Sequence, residues 1–208
     1  MPDFSDEAEV TGEVPGEKVA LRAVLLARRR ALPAPERTVA AGRIQAELTN
    51  LVRRLRPRRI TAYVPVGSEP GGPDLPDRLL DALGPTGDLL LPVLRPDLDL
   101  DWAHHGGGVL VPAGRGLREP VGDRLGTAAV GTADLVIVPA VAVDRRGVRL
   151  GRGGGSYDRA LARVAPDTLT LALLHDGELV DRVPAQPHDR PVAAVITPSG
   201  GLRPLPAG

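Results

Sequence analysis

Hydrophobic positions along the chain change their period several times, and each change predicts an element. Over residues 17 to 32, Leu21, Val24, Leu25 and Leu32 recur at helical spacing. Pro33 and Pro35 stop that helix and open a second, expected over 35 to 54 and ending in a basic cluster. RITAYVP (59–65) has the β-branched, apolar character of a strand, and Gly67 with EPGGPD turns the chain after it. A short helix near 74–83 leads to DLLLPVL. LDLDWA (98–103) and GVLVP (108–112) then alternate like antiparallel strands, before a loop containing GLREP. DLVIVPAVAV (134–143) is apolar at successive positions, as in a strand covered on both faces. Past a glycine-rich loop a helix opens near Tyr157, and LTLALLH and VAAVITP read as two more strands. Strands alternating with helices predict an α/β fold, a three-layer sandwich around a mostly parallel sheet whose ligands sit at the carboxyl ends of the strands.

Composition narrows the function classes. With 208 residues the chain suits one catalytic α/β domain over 17–208, preceded by an acidic, aperiodic stretch at 1–16 that reads as a disordered leader. Aromatic residues make up only 2%, so there are few surfaces on which bases could stack, and Lys plus Arg equals Asp plus Glu at 26 each. No nucleic-acid partner is expected, and any basic site must be local. Zero cysteines exclude disulfides, thiolate metal sites and cysteine nucleophiles. The first residues lack the basic and apolar regions of a secretory signal, and the longest apolar run, 135–143, is nine residues against the roughly 20 of a membrane span. A cytoplasmic protein without a membrane partner is expected.

RLGRGGGSYDR (149–159) carries the strongest chemical signal. Gly153, Gly154 and Gly155 let the backbone adopt positive φ and turn successive N–H groups toward an anion. A helix start adds partial positive charge, and Arg149 and Arg152 supply forked donors suited to phosphate. A solvated turn is the plainer alternative. The loop has no lysine, as a Walker A motif requires, and Ser156 stands where a dinucleotide motif starting at Gly151 needs glycine. Asp158 suits either a Mg²⁺ ligand or a first-turn charge favourable to the helix. Lys18 and Arg22, four apart, share a helix face and could reach one phosphate or simply be a solvated pair. His188 and Asp189 in PHDR suit a loop salt bridge unless the fold brings them to the glycine loop. Adjacent His104 and His105 make a poor metal pair, Ser156 lacks a hydrolase elbow, and Trp102 reads as packing.

Together these stretches resemble the 5-formyltetrahydrofolate cyclo-ligase family, also called methenyltetrahydrofolate synthetases. The resemblance runs from about Lys18 to Gly200. It rests, in order, on KVALRAVLLARRRAL, YVPVGSEPGG, LLLPVLRPDLDLDW, GLREP and VPAVAVDRRGVRLGRGGGSYDR, closed by HDRPVAAVITP. The family usually has two consecutive tyrosines in the glycine loop; here Ser156 replaces the first and only Tyr157 remains.

The resemblance implies a three-layer α/β enzyme that uses ATP and Mg²⁺ to convert 5-formyltetrahydrofolate to 5,10-methenyltetrahydrofolate, releasing ADP and phosphate. It implies that Lys18, Arg22, Arg149, Gly151, Arg152, Gly153, Gly154, Gly155, Ser156 and Tyr157 bind ATP. Val66, Glu69, Gly154, Ser156 and Tyr157 are to contact the folate, Asp158 and Asp189 the magnesium, and Arg149 and Tyr157 are to be catalytic. The expected partners are small molecules, and the expected state is a monomer. Two other readings are a non-catalytic ATP- or folate-binding homologue and a sugar-phosphate or acyl-transfer enzyme on a similar fold.

Overall fold

The computed structural model describes residues 15–185 and 189–206. The acidic leader lies outside the described residues except Pro15 and Gly16, with which the first helix begins, and His188 lies outside them too. Helices α1 (Pro15–Ala31) and α2 (Ala34–Leu55) meet at Pro33, as the two prolines dictate. Then follow β1 (Arg59–Thr61), α3 (Leu75–Leu83), β2 (Asp88–Leu94), β3 (Leu100–His104), β4 (Leu110–Pro112), β5 (Arg118–Pro120), β6 (Leu135–Pro139), β7 (Ala142–Asp144) and β8 (Arg149–Leu150). The chain continues through α4 (Ser156–Leu161), β9 (Leu169–Leu173), β10 (Leu179–Val180), β11 (Ala194–Thr197) and β12 (Gly201–Pro204).

Among the described residues the main sheet has the order β12-β11-β9-β6-β1-β2-β3. Its inner pairs β11·β9, β9·β6, β6·β1 and β1·β2 are parallel, and the two edge strands β3 and β12 run antiparallel. Alternation along each strand sends side chains to two opposite layers. Leu89, Leu91, Ile137 and Leu171 pack under Ile44, Leu48, Leu75 and Leu79 of α2 and α3. Leu90, Val136, Val138, Ala172 and Val195 face Ala160 and Leu161 of α4 together with Trp102. This is the expected three-layer sandwich, and Trp102 is core packing as read from the sequence. No helix among the described residues is long and apolar enough to cross a membrane.

Several elements differ from the expectation. The apolar stretch 134–143 is not one strand but two in different sheets. Pro139, the last residue of β6 paired with Leu173, has no N–H to carry the ladder on. The chain leaves the main sheet there, and β7 joins the small sheet β10-β7-β8. LDLDWA and GVLVP do form antiparallel strands, paired with β2 and β5, but the GLREP segment is not a loop: Arg118–Pro120 are β5, which supplies β4 with its antiparallel partner. The strand at 59 ends its ladder at Thr61, although Ala62, Tyr63 and Val64 beyond it stay buried. Val24, read as part of the apolar face of the first helix, is 50% exposed.

Candidate active site

Strand order locates the site. From β1 the chain steps to β2 on one side, whereas β6, β9 and β11 step away on the other, so the winding reverses between β1 and β6. A crevice forms at the carboxyl ends of strands at such a reversal. A cavity of about 570 Å³ lies there, with Tyr63, Val64 and Val66 following β1, Pro92 and Leu94 on β2, and Pro139 and Ala140 where β6 ends.

One face of α1 closes the cavity. Lys18, Arg22, Leu25 and Arg29 recur at i, i+4, i+7 and i+11, the period of a single helix stripe. Arg22 Nε donates to Gly151 O at 2.8 Å, and Lys18 Nζ pairs with Asp189 Oδ2 at 3.0 Å. Arg29 is buried and gives a forked ion pair to Glu178, with Nε–Oε1 at 2.5 Å and Nη2–Oε2 at 2.7 Å. Its Nη2 also donates to Ala140 O. The sequence signal for Arg29 is its place one turn beyond Leu25 on the inward stripe of α1; Glu178, beside a turn, has none.

The glycine loop forms the facing wall. Its preceding strand, β8, is the antiparallel edge of the small mixed sheet rather than a strand of the main one, so the loop reaches the crevice from the side. Gly153 and Gly155 take φ of 103° and 67°, which a side chain would strain, and α4 starts at Ser156, one residue before the expected Tyr157. Arg149 is buried at 5% exposure: Nη2 holds Asp158 Oδ1 at 2.6 Å, and the guanidinium carbon is 5.9 Å from the Tyr157 ring centre. Arg149 Nε is buried with no hydrogen-bond partner, and a Cβ on Gly151 would come within 2.8 Å of its Nη1. A buried cation with an unused donor, fronted by a glycine whose added Cβ would crowd the guanidinium, has the chemistry of an anion cradle.

Across the cavity Arg152 Nε meets Glu69 Oε1 at 3.0 Å, and Glu69 Oε2 accepts from the Val66 N–H at 2.9 Å, which fixes the turn after β1. Tyr157 lines the cavity while packing against both apolar layers. Its phenol is pushed far above the ordinary value of 10.0 by burial and then by the Glu69 charge, against the pull of Arg149, so it remains protonated.

Lys18, Arg22, Val66, Glu69, Arg149, Gly151 through Asp158, and Asp189 therefore all line one cavity. Sequence reading missed the opposite, apolar half, where Leu94, Leu98, Leu100 and Leu117 stand beside Arg115, Arg118 and Glu119 of the β4–β5 hairpin. Its signal, apolar residues at turn positions, is weak in a leucine-rich chain. The arrangement suits an anion at one end and an apolar body at the other. Asp158 and Asp189 are hard oxygen donors of the kind a magnesium ion takes. No cluster of three metal-binding side chains occurs among the described residues.

Comparison with known proteins adds sequence and fold relatives. The family model described as "5-formyltetrahydrofolate cyclo-ligase family" matches residues 14–198. A 5-formyltetrahydrofolate cyclo-ligase of Mycolicibacterium smegmatis is 44% identical over 193 residues, 90% of this chain and 97% of that protein. The solution structure of Aquifex aeolicus 5,10-methenyltetrahydrofolate synthetase superposes with a TM-score of 0.75 at 28% identity, over 92% of this chain and 94% of that one. A Mycoplasma pneumoniae 5,10-methenyltetrahydrofolate synthetase shares the fold, with a TM-score of 0.68 at 19% identity over 86% of this chain and 97% of that one.

Proposed function

The chain belongs to the 5-formyltetrahydrofolate cyclo-ligase family of ligases, and from that premise we propose that it converts 5-formyltetrahydrofolate to 5,10-methenyltetrahydrofolate with hydrolysis of ATP to ADP and phosphate, assisted by Mg²⁺. The observation that carries the reading is the convergence of Lys18, Arg22, Arg149 and the glycine loop on one cavity whose other half is apolar. Cations and backbone donors suit a triphosphate, and the apolar half suits a folate ring.

The formyl oxygen attacks the γ-phosphorus of ATP as the bond to the ADP oxygen breaks. A neighbouring folate nitrogen then attacks the formyl carbon and gives up its proton, and the oxygen departs with phosphate. Phosphorylation is needed because an amide-like oxygen is otherwise a poor leaving group. The protein's part is alignment and charge neutralisation. Arg149, with its unused Nε, and Arg22 and Lys18 from α1 hold the triphosphate, while Gly151 through Ser156 and Arg152 supply close backbone and side-chain contact. Tyr157, protonated, serves as a hydrogen-bond donor and wall rather than as a base. Val66 and Glu69 orient the polar edge of the folate. Asp158 and Asp189 would hold the magnesium, which when bound neutralises phosphate charge; each carboxylate now faces a cation, Arg149 or Lys18, that phosphate can draw away.

Purified protein mixed with ATP, Mg²⁺ and 5-formyltetrahydrofolate is expected to develop the near-ultraviolet absorbance of the methenyl product with one ADP released per turnover. Absence of both at high enzyme concentration rejects the reading.

A further inference from the structure

The hairpin turn between β2 and β3 contains the one leucine held at positive φ among the described residues, Leu98 at 64°. A left-handed leucine is strained, and such strain persists only where neighbours over-determine the backbone. Here they do. The Leu98 N–H donates to Arg95 O at 3.0 Å, and the Arg95 N–H donates to Asp99 O at 2.9 Å, closing the turn on itself. Arg163 then grips the next residue, Asp99, through Nη1–Oδ1 at 3.0 Å and Nη2–Oδ2 at 2.6 Å. The result is that Leu98 lines the apolar half of the cavity beside Leu100.

A second tie crosses from this turn to the other half. Arg159 Nη2 donates to Leu98 O at 2.6 Å and also to Gly154 O at 3.1 Å, in the middle of the glycine loop. A Cβ at Gly155 would approach Arg159 Nη1 to 3.1 Å, so the loop is also fitted around this guanidinium. One nitrogen thus bridges the backbone of the phosphate-facing loop and the backbone of the apolar wall.

We propose that Arg159 is a positioning residue that couples the two halves of the cavity: when the triphosphate fixes the glycine loop, Arg159 fixes Leu98 as the wall against which the folate ring rests. Leu98 is then a specificity-determining residue for the folate and not for ATP. The inference rests on the cyclo-ligase reading for the identity of the two ligands. Coupling of this kind is reciprocal, so ATP and folate each tighten the other by the same factor.

Titration calorimetry with a non-hydrolysable ATP analogue and 5-formyltetrahydrofolate tests it. In the unmodified protein the analogue is expected to tighten folate binding by about fivefold, a modest coupling factor, and in Arg159→Ala this factor falls to about one while each ligand still binds. Leu98→Gly serves as the second variant, because glycine accepts the left-handed backbone and folding is retained. It is expected to weaken folate severalfold and leave the analogue's affinity unchanged. A coupling factor that survives Arg159→Ala, or folate affinity that survives Leu98→Gly, overturns the inference alone. Failure of the unmodified protein to bind either ligand overturns the functional reading beneath it.

Discussion

Arg149 concentrates the chemistry of the site in one side chain. It is buried, paired with Asp158 at 2.6 Å, stacked toward Tyr157, and has an unused Nε. Lysine would keep the charge and lose the fork. Arg149→Lys is therefore expected to raise KM for ATP about tenfold, the equivalent of one charge-assisted hydrogen bond of ~1.5 kcal/mol, in steady-state assays with ATP varied. An unchanged KM would show that no forked contact is made. The two tyrosines make a different prediction. Tyr63 donates to Pro70 O at 2.6 Å, and burial is the largest cause raising both its phenol and that of Tyr157. Below the ordinary value of 10.0 both are neutral whether folded or unfolded, so they add no pH dependence. Above it the unfolded chain ionises while the folded one resists, and stability falls as pH rises. Each phenol contributes a slope of up to about 1.4 kcal/mol per pH unit. Urea unfolding followed across that alkaline range is expected to show a shallower decline for Tyr157→Phe; an unaltered slope contradicts the raised phenol.

At the scale of elements, α1 is attached through a narrow set of contacts. Of its described residues only Leu25 and Arg29 are fully buried, and Arg29 is held by Glu178 and Ala140 O. The helix also carries Lys18 and Arg22, so its docking sets their reach. Arg29→Met leaves Glu178 buried with only the His175 N–H as a hydrogen-bond partner, and the loss of one member of such a pair costs about 3–5 kcal/mol. Melting temperature should drop and KM for ATP should rise together. Adding Glu178→Leu is expected to restore part of the stability, short by about 1–3 kcal/mol for the unpaired His175 N–H, so a double variant no more stable than Arg29→Met rejects the pair as the anchor. The helices were legible in the sequence because proline and a 3.6-residue period act locally. The partition of 134–143 was not: an unbroken apolar run fits any covered strand, and what divides it, Pro139 at a ladder's end and a new partner at Leu150, depends on where distant segments lie. The glycine loop was legible because its backbone chemistry is local. Leu98 and Arg159 were not, since a leucine's positive φ and a contact spanning 61 residues leave no local trace.

For the whole molecule, balanced charge means that attraction for a polyanion arises from convergence alone. The reversal of winding between β1 and β6 opens the crevice, α1 brings Lys18 and Arg22 to it, the small sheet delivers Arg149, and α4 sets Asp158 against that arginine. Two of these cations are already neutralised, Lys18 by Asp189 and Arg149 by Asp158. Phosphate must compete with those carboxylates unless they find another cation, and a magnesium ion arriving with ATP supplies one. ATP with Mg²⁺ should therefore stabilise the fold more than ATP with a chelator. At about 100 times Kd the complex adds roughly 2.7 kcal/mol, a rise in Tm of about 5–11 °C for a chain of this size. Asp158→Asn separates the two effects: it frees Arg149, so ATP with chelator should protect at least as well as before, while the increment due to Mg²⁺ shrinks. Thermal melts of the unmodified protein, Asp158→Asn and Asp189→Asn under both conditions decide the matter. A magnesium increment undiminished in both variants would mean that neither carboxylate holds the ion and that their role is confined to pairing Arg149 and Lys18.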